Sequence, residues 1–592
     1  MRVRLLLVNP KHPESFWSFS WAVREVLPGK RTVNPPLGLA TLAALCPPDW
    51  QVTIADENVE SVQLLPEADV IGVCGMGVQF PRQTELLNYY RRKGYFTVAG
   101  GSYASLCPER YAGVADVVIA GEAEYVWKRF CADYAAGNHV ALYQETGVVD
   151  LEDSPTPRFD LLQLERYTTA TLQFSRGCPY MCEFCDIIVM FGRKPRCKSL
   201  AQVERELDAL RHAGARSVFF VDDNLIGNKP LAKRLIAFLA EYQERHDHPF
   251  RFGTEVSLNF AQNEELLRGF RDAGFVWVFI GIETPDEESL KETRKMQNMK
   301  QDMLASVRRI YAHGIDVLAG FIIGFDNDTI ETFEKQRRFI IQSGIQAAMV
   351  GLLTALPRTP LYERLQKEGR LLEHAPASDN TSIGTNVVPK NMTYGGMVER
   401  YRTLYRDLVS DRGIAERVRN KMRYIVSPVY HGEYSRREQF LILWRLLVKG
   451  LLPGGPRRLV HFARTLPLRH PAKLPLVVVD WIGGLAMRDY VERRLLPRRE
   501  GRHLSLSLHA PLSRRFFRRA ARELERLLAG TSSTLTLKIE MLAERERAHF
   551  ERFLKRLSRY GDRISIVIDE SLSYIVSVDS SVFNVVLGPT AK

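Results

Sequence analysis

Three cysteines in one short run, Ser-Arg-Gly-Cys178-Pro-Tyr-Met-Cys182-Glu-Phe-Cys185-Asp, carry the sharpest chemical signal in the chain. Their C-x3-C-x2-C spacing supplies three thiolates, whereas a four-iron cluster takes four ligands and usually draws them from cysteine. A 4Fe–4S cluster held by Cys178, Cys182 and Cys185 alone keeps one iron open to a substrate or cofactor. The alternative is a structural zinc site with Cys197 as fourth thiolate. Zinc sites usually pair two C-x2-4-C knuckles, and only Cys182 and Cys185 form a clean one.

A cluster of this kind needs a rigid frame. From residue 171 to about 357, strands predicted at 171–175, 217–222, 252–257, 276–282, 317–323 and 347–353 alternate with amphipathic helices, such as 200–212 and 302–313. The cysteines follow the first strand, at the face where barrel enzymes carry their chemistry. Polar residues and glycines interrupt the later strands near their carboxyl ends: Asp222, Asp223 and Asn224, then Glu255, then Gly281 and Glu283, then Gly324. Carboxylates there can accept hydrogen bonds from a ribose and an ammonium, and glycines leave room for an adenine.

Residues 1–150 alternate predicted strands (3–8, 52–56, 70–75, 96–99, 117–121) with helices (37–45, 83–93, 123–134), the pattern of a parallel sheet covered on both faces. Glycines cluster past the strand ends, at Gly75, Gly77, Gly100, Gly101 and Gly121, where α/β sheets bind ligands. No G-x-G-x-x-G opens a helix. Residues 151–169 are expected to be a linker, 359–500 helical and basic, and 501–592 a small α/β unit with no assigned chemistry. That last unit has strands at 504–508, 534–539 and 564–568 and helices at 515–528 and 543–560.

Eight cysteines in 592 residues do not make a disulfide framework. Cys46, Cys74, Cys107 and Cys131 are expected to be core thiols in a reducing cytoplasm. The apolar start is too short for a signal peptide and has no cleavage site. No stretch reaches the roughly 20 apolar residues of a membrane span. The net charge is +13, and residues 411–500 hold 19 Lys and Arg against 8 Asp and Glu.

The triad, with Phe184 before its last cysteine, resembles the radical S-adenosylmethionine (SAM) enzymes, whose fold is a partial (β/α)6 barrel over 170–358. The resemblance implies that the open iron chelates SAM and that reduction yields a 5′-deoxyadenosyl radical. It also implies that Phe184, Asp222, Asp223, Asn224, Glu255, Gly281, Glu283 and Gly324 contact SAM. The first domain is similar to the cobalamin-binding, Rossmann-like domain of B12-dependent radical SAM proteins. The residues carrying this are Asn9, Pro10, Pro36, Leu37, Gly38, Asp56, Gly75, Gly100, Gly101, Gly121 and Glu122. Its histidine motif Asp-x-His-x-x-Gly is missing; His12 and His139 are the only histidines in this domain.

The runs 186–196, 221–229 and 351–362 look like the subgroup that includes the hopanoid C-2 methylases. The implied function is C-methylation of an unactivated carbon in a lipid-like or secondary-metabolite substrate, with an electron donor such as flavodoxin or ferredoxin. A cyclase or rearrangement enzyme using the same cofactors is the alternative, as is a cobalamin-binding regulator with a vestigial cluster.

Two apolar runs, 439–453 and 474–487, lie among the arginines of the basic segment. They fit either peripheral contact with the inner face of the membrane through 430–500 or core helices with solvated arginine edges. Nucleic-acid binding is not expected, since no RNA-binding module accompanies the charge.

Overall fold

The computed structural model describes residues 2–299, 301–372, 384–426, 434–496 and 501–588, apart from 510, 511, 530, 532, 570, 571 and 573–577. Strands β1 (Arg4–Asn9), β2 (Gln51–Asp56), β3 (Val70–Cys74), β4 (Phe96–Gly100), β5 (Val117–Ala120) and β6 (Leu142–Gln144) form one parallel sheet in the order β2-β1-β3-β4-β5-β6. Apolar residues such as Leu5, Leu7, Val70 and Val73 bury both faces, as continuous strands in a covered parallel sheet must. The strand order reverses at β1, so a crevice opens beyond the carboxyl ends of β1 and β3. The sequence reading misses β6, a three-residue strand in which only Tyr143 is buried.

The expected linker at 151–169 is instead a folded strap that clamps the two domains together. Phe159 and Tyr167 are buried, and the Tyr167 hydroxyl donates to Asp56 at 2.8 Å. The Gln202 side chain donates to the carbonyls of Leu151 and Ser154 at 2.9 and 3.0 Å.

Strand β7 (Ala170–Leu172) opens the second sheet, and the short antiparallel pair β8 (Ser175–Arg176) and β9 (Arg196–Cys197) brackets the cysteine loop. Strands β10 (Ser217–Phe220), β11 (Arg251–Glu255), β12 (Phe275–Glu283), β13 (Asp316–Ile323) and β14 (Ala348–Leu352) then follow β7 in sequential parallel order. This is the expected six-unit partial barrel. Gly253 admits the Trp277 ring, which a Cβ at 253 would overlap. Trp277, Phe219 and Phe279 fill the interior, and Trp17 of the first domain packs on Phe279 at 5.0 Å between centroids.

Helices Tyr394–Leu408, Asp411–Tyr424 and Leu474–Tyr490 cover the barrel beside β14. Tyr401 and Tyr405 donate their hydroxyls to the Val350 carbonyl at 2.8 and 2.7 Å, capping that edge. The run 474–487 packs mostly inward: Val477, Trp481, Leu485 and Met487 are buried, while Leu474 and Val479 are exposed.

The last domain carries a four-stranded parallel sheet, β15 (His503–Leu508), β16 (Thr534–Ile539), β17 (Ile564–Asp569) and β18 (Asn584–Gly588). The sequence reading omits β18. This domain shares a continuous apolar core with helix Phe80–Arg92 of the first domain, and Arg82 donates to the Val585 carbonyl at 2.8 Å.

Candidate functional site

The cysteine loop is held by its backbone. Gly177 adopts φ +95°, and a Cβ there would press on the carbonyls of Gly192, Lys194 and Phe191 at 3.1–3.3 Å. The Cys178 amide donates to Gly192 at 3.3 Å and the Cys185 amide to Cys182 at 3.2 Å. Glu183, between the second and third cysteines, pairs with Arg364 at 2.7 Å. All three thiols are free of disulfides. Burial pushes the Cys178 and Cys185 thiols up, with their acidic neighbours adding to it.

Among the described residues no three His, Cys, Asp or Glu side chains are arranged to hold a single metal ion. Cys197 instead packs against the barrel core from β9. The donor set that remains is three cysteines on one short loop, which fits a cluster.

The strand-end carboxylates divide into two groups. Asp222 is buried and accepts from the Phe174 amide at 3.0 Å, from the Ser175 amide, and from the Ser175 hydroxyl at 2.5 Å. Asp223 accepts from the Gly177 amide at 2.8 Å. Asn224 bonds Ser257, which passes the chain through Asn259 to the Tyr180 hydroxyl. These three residues spend polar atoms on positioning the cysteine loop. Burial raises Asp222 to about 7 and Asp223 to about 6.

Glu255 differs: among the described residues nothing donates to its carboxylate. Burial raises it to about 8, with Asp223 and Asp222 adding to the effect. An unshared carboxylate at the barrel's carboxyl face suits a cationic or hydroxylated ligand.

Glu283 sits at φ +63°, an uncommon conformation for a non-glycine residue. Asn298 fixes it by donating to the carbonyls of Gly281 and Ile282 at 2.9 and 3.1 Å. Its partner Lys295, which sequence reasoning missed, is 2.7 Å away and lies 5.9 Å over the Phe184 ring. Burial works against the lysine charge, but Glu283, Cys182 and Cys185 raise its pKa above the ordinary value. A Cβ on Gly281 would strike both Glu283 and Lys295. Gly324 takes φ +117° and donates its amide to Asp328 at 2.8 Å. Phe184 packs on Phe325 at 6.1 Å. Nothing in the sequence marks Lys295, since a lone basic residue past a strand is ordinary.

A cavity of about 1240 Å³ opens between the crevice of the first sheet and the barrel, and Asp186, beside Cys185, reaches its wall. It exceeds the ~300–1,000 Å³ of common small-molecule pockets. Of the expected cobalamin contacts, Asn9, Pro36, Gly38, Gly75 and Gly101 line it. Pro10, Leu37, Asp56, Gly100, Gly121 and Glu122 do not line it. Asp56 accepts from Asn9 at 2.9 Å, and the Pro10 carbonyl accepts from Gln79 at 2.5 Å. Gly101, at φ +104°, leaves no room for a Cβ beside the Gly75 backbone. Glu122 pairs with Arg176 and Arg196 at 2.8 Å, tying the first domain to the cysteine loop. A glycine-smoothed wall of this size fits a corrin ring. His12 lines the same cavity, and burial lowers its pKa to about 4, so its ring is neutral.

Residues 172–340 match the Radical SAM superfamily, residues 31–130 the B12 binding domain, and residues 359–494 a domain of unknown function, DUF4070. An uncharacterized methyltransferase of Synechocystis is 40% identical over 65% of this chain and 73% of its own length. The hopanoid C-2 methylase of Rhodopseudomonas palustris is 36% identical over 64% of this chain and 73% of its own. Among solved structures, the cobalamin-dependent S-adenosylmethionine radical enzyme OxsB, with aqua-cobalamin and S-adenosylmethionine bound, shares the fold. Its TM-score is 0.53 at 16% identity, covering 83% of this chain and 80% of that one.

Proposed function

The chain belongs to the B12-binding radical SAM enzymes, and on that footing we propose that it is a C-methyltransferase acting on an unactivated carbon of a lipid-like or secondary-metabolite substrate. The observation that carries this reading is the cavity of about 1240 Å³ running from the carboxyl edge of the first sheet to Asp186, next to Cys185. A corrin held there lies beside whatever occupies the barrel face. When bound, the cluster, SAM and cobalamin supply radical formation and methyl transfer, chemistry that no side chain performs.

The protein's part is positional. Cys178, Cys182 and Cys185 hold the cluster, and Asp222 and Asp223 fix the loop that presents them. Lys295 sets a positive charge beside the thiolates. Glu255 and Glu283 face the SAM side, with Phe184 against its adenine and Gly281 and Gly324 leaving space. Asn9, Pro36, Gly38, Gly75 and Gly101 line the corrin site; Pro10, Asp56 and Gly100 support that wall through Gln79, Asn9 and Gly75. Asn224 steadies the loop through Ser257.

A small reducing protein such as flavodoxin or ferredoxin is the electron donor in this reading. Cytoplasmic placement with peripheral membrane contact through 430–500 also belongs to it; residues 430–433 and 497–500 lie outside the described residues. No helix of the described residues is long and apolar enough to cross a membrane.

The test is anaerobic reconstitution with iron, sulfide and cobalamin, followed by a deoxyadenosine assay and mass spectrometry of extracts from cells with and without the gene. Loss of a species one methylene heavier than a surviving precursor is expected. A product changed instead in skeleton or hydrogen count would replace methyl transfer with cyclisation or rearrangement. Replacing any of the three cysteines with Ala should abolish deoxyadenosine formation.

A further inference from the structure

The helical stretch 436–451 is apolar on both its faces. Inward, Ile442, Leu446 and Leu451 pack with Val26, Ile414, Val477 and Trp481. Outward, Phe440 (70% exposed), Leu443, Trp444 (54%), Leu447 and Val448 follow one another at helical spacing, and Leu452 continues the line. A surface helix of a globular protein normally turns charged or polar residues to solvent once its inner stripe is buried. Here folding already has its apolar face, so the outer stripe is surplus to folding.

The concentration is local. Of the 27 large apolar side chains exposed among the described residues, nine lie between 440 and 474. The charge there is one-sided as well: residues 436–476 contain nine Lys and Arg but a single acid, Glu438. Glu438 is spent on the helix start, where it accepts from Ser435 at 2.8 Å. Arg436, Arg437, Arg457, Arg464 and Arg469 are exposed around the stripe. The second apolar run of this region, 474–487, is mostly buried, with Leu474 and Val479 exposed, so the contiguous exposed stripe belongs to the first.

We propose that the outer face of 436–452, from Phe440 to Leu452, is an in-plane docking surface for an anionic lipid bilayer. An exposed Trp and Phe with Leu and Val beside them insert at the interface, while arginines flank them to meet anionic headgroups. A soluble protein partner would have to supply an equally acidic and apolar groove; the membrane supplies both properties at once. This deepens the reading of a lipid-like substrate, yet it is tested without catalysis, so either can fail alone.

The experiment is co-sedimentation of the full-length protein with vesicles of phosphatidylcholine, and of phosphatidylcholine mixed with phosphatidylglycerol, at low and high salt. Binding to the anionic vesicles is expected, weakening as salt screens the arginines. Trp444→Glu and Phe440→Ser should each weaken it about tenfold or more, as the loss of one buried large apolar side chain implies. Leu527→Glu, at an exposed apolar site in the last domain, should leave it unchanged. Melting temperature and bound cobalamin serve as controls for folding. Equal binding by Trp444→Glu, absence of binding to anionic vesicles, or a dimer in vesicle-free buffer that Trp444→Glu dissociates would each overturn the proposal. Loss of methylation with vesicle binding intact would fall on the functional reading instead.

Discussion

Asp222, buried, and Glu255, half-buried, are both carboxylates at strand ends, but their partners separate their roles. Replacing Asp222 with Ala leaves two amides and a hydroxyl unpaired in the interior. At ~1–3 kcal/mol for each unmet buried donor, the loss should be on the order of 3 kcal/mol. Thermal melting of the cofactor-free protein measures it, and weaker cluster retention should accompany it. Glu255→Gln should act in the opposite direction. Its folded pKa is raised to about 8 from an ordinary value of 4.5, mainly by burial. The folded state therefore holds a proton that the unfolded chain has released, and stability falls as pH rises from about 4.5 to 8. The Gln variant should be more stable than the parent at pH 8, by up to about 3 kcal/mol, and equal to it near pH 4. A pH series of melting temperatures on the cofactor-free protein checks the sign, and a parent more stable at pH 8 would refute it. The same variant should lose deoxyadenosine formation, because the carboxylate that no described residue uses is then gone.

Among the elements, the turn after β4 carries the most exacting geometry. Gly101→Ala would place a Cβ onto the Gly75 carbonyl and 2.7 Å from the Gly75 amide nitrogen, at φ +104°. Backbone strain of this kind costs roughly 1–3 kcal/mol, and the wall of the cavity must shift to relieve it. The expected result is a lower melting temperature together with weaker cobalamin binding, read from the visible spectrum. Gly38→Ala, on the same wall but with nothing within 4 Å of its Cβ, should retain its stability. The β8–β9 pair is a second device of this scale. Its Arg176 and Arg196 meet Glu122, and Arg176 also reaches Glu124 at 2.7 Å. Two buried acids at the start of one helix thus set the distance between the corrin cavity and the cysteines.

For the whole molecule, the last domain is a structural partner of the first rather than an appendage. Leu86, Leu87, Tyr89 and Tyr90 share one core with Phe517, Leu537 and Phe550, and Ser61 and Arg82 bond the 578–585 segment. Removing 501–592 would expose that face of helix Phe80–Arg92. The truncated protein should melt at lower temperature, bind a hydrophobic dye and lose cobalamin affinity. Unchanged cobalamin binding and melting in the truncation would show that the two domains are independent.

Much of this was legible in the sequence for a physical reason. Strand–helix alternation, the cysteine spacing and the glycines past strand ends are local patterns, and local patterns survive in one dimension. Hence the five main strands of the first sheet and all six barrel strands fall close to their expected places. Of the strands missed, β8 and β9 have two residues each, and β6 and β18 are edge strands, which draw little on periodicity. Roles that depend on partners far along the chain were not legible. Asp222 is a brace for the loop 47 residues before it, Lys295 reaches Glu283 and the thiols only through the barrel, and segment 151–169 reads as a linker until Tyr167 meets Asp56. Likewise two apolar runs of similar composition, 439–453 and 474–487, part: the first keeps an exposed apolar stripe from Phe440 to Leu452, and the second is mostly buried. Composition determines that both are apolar; only packing decides which one the protein covers.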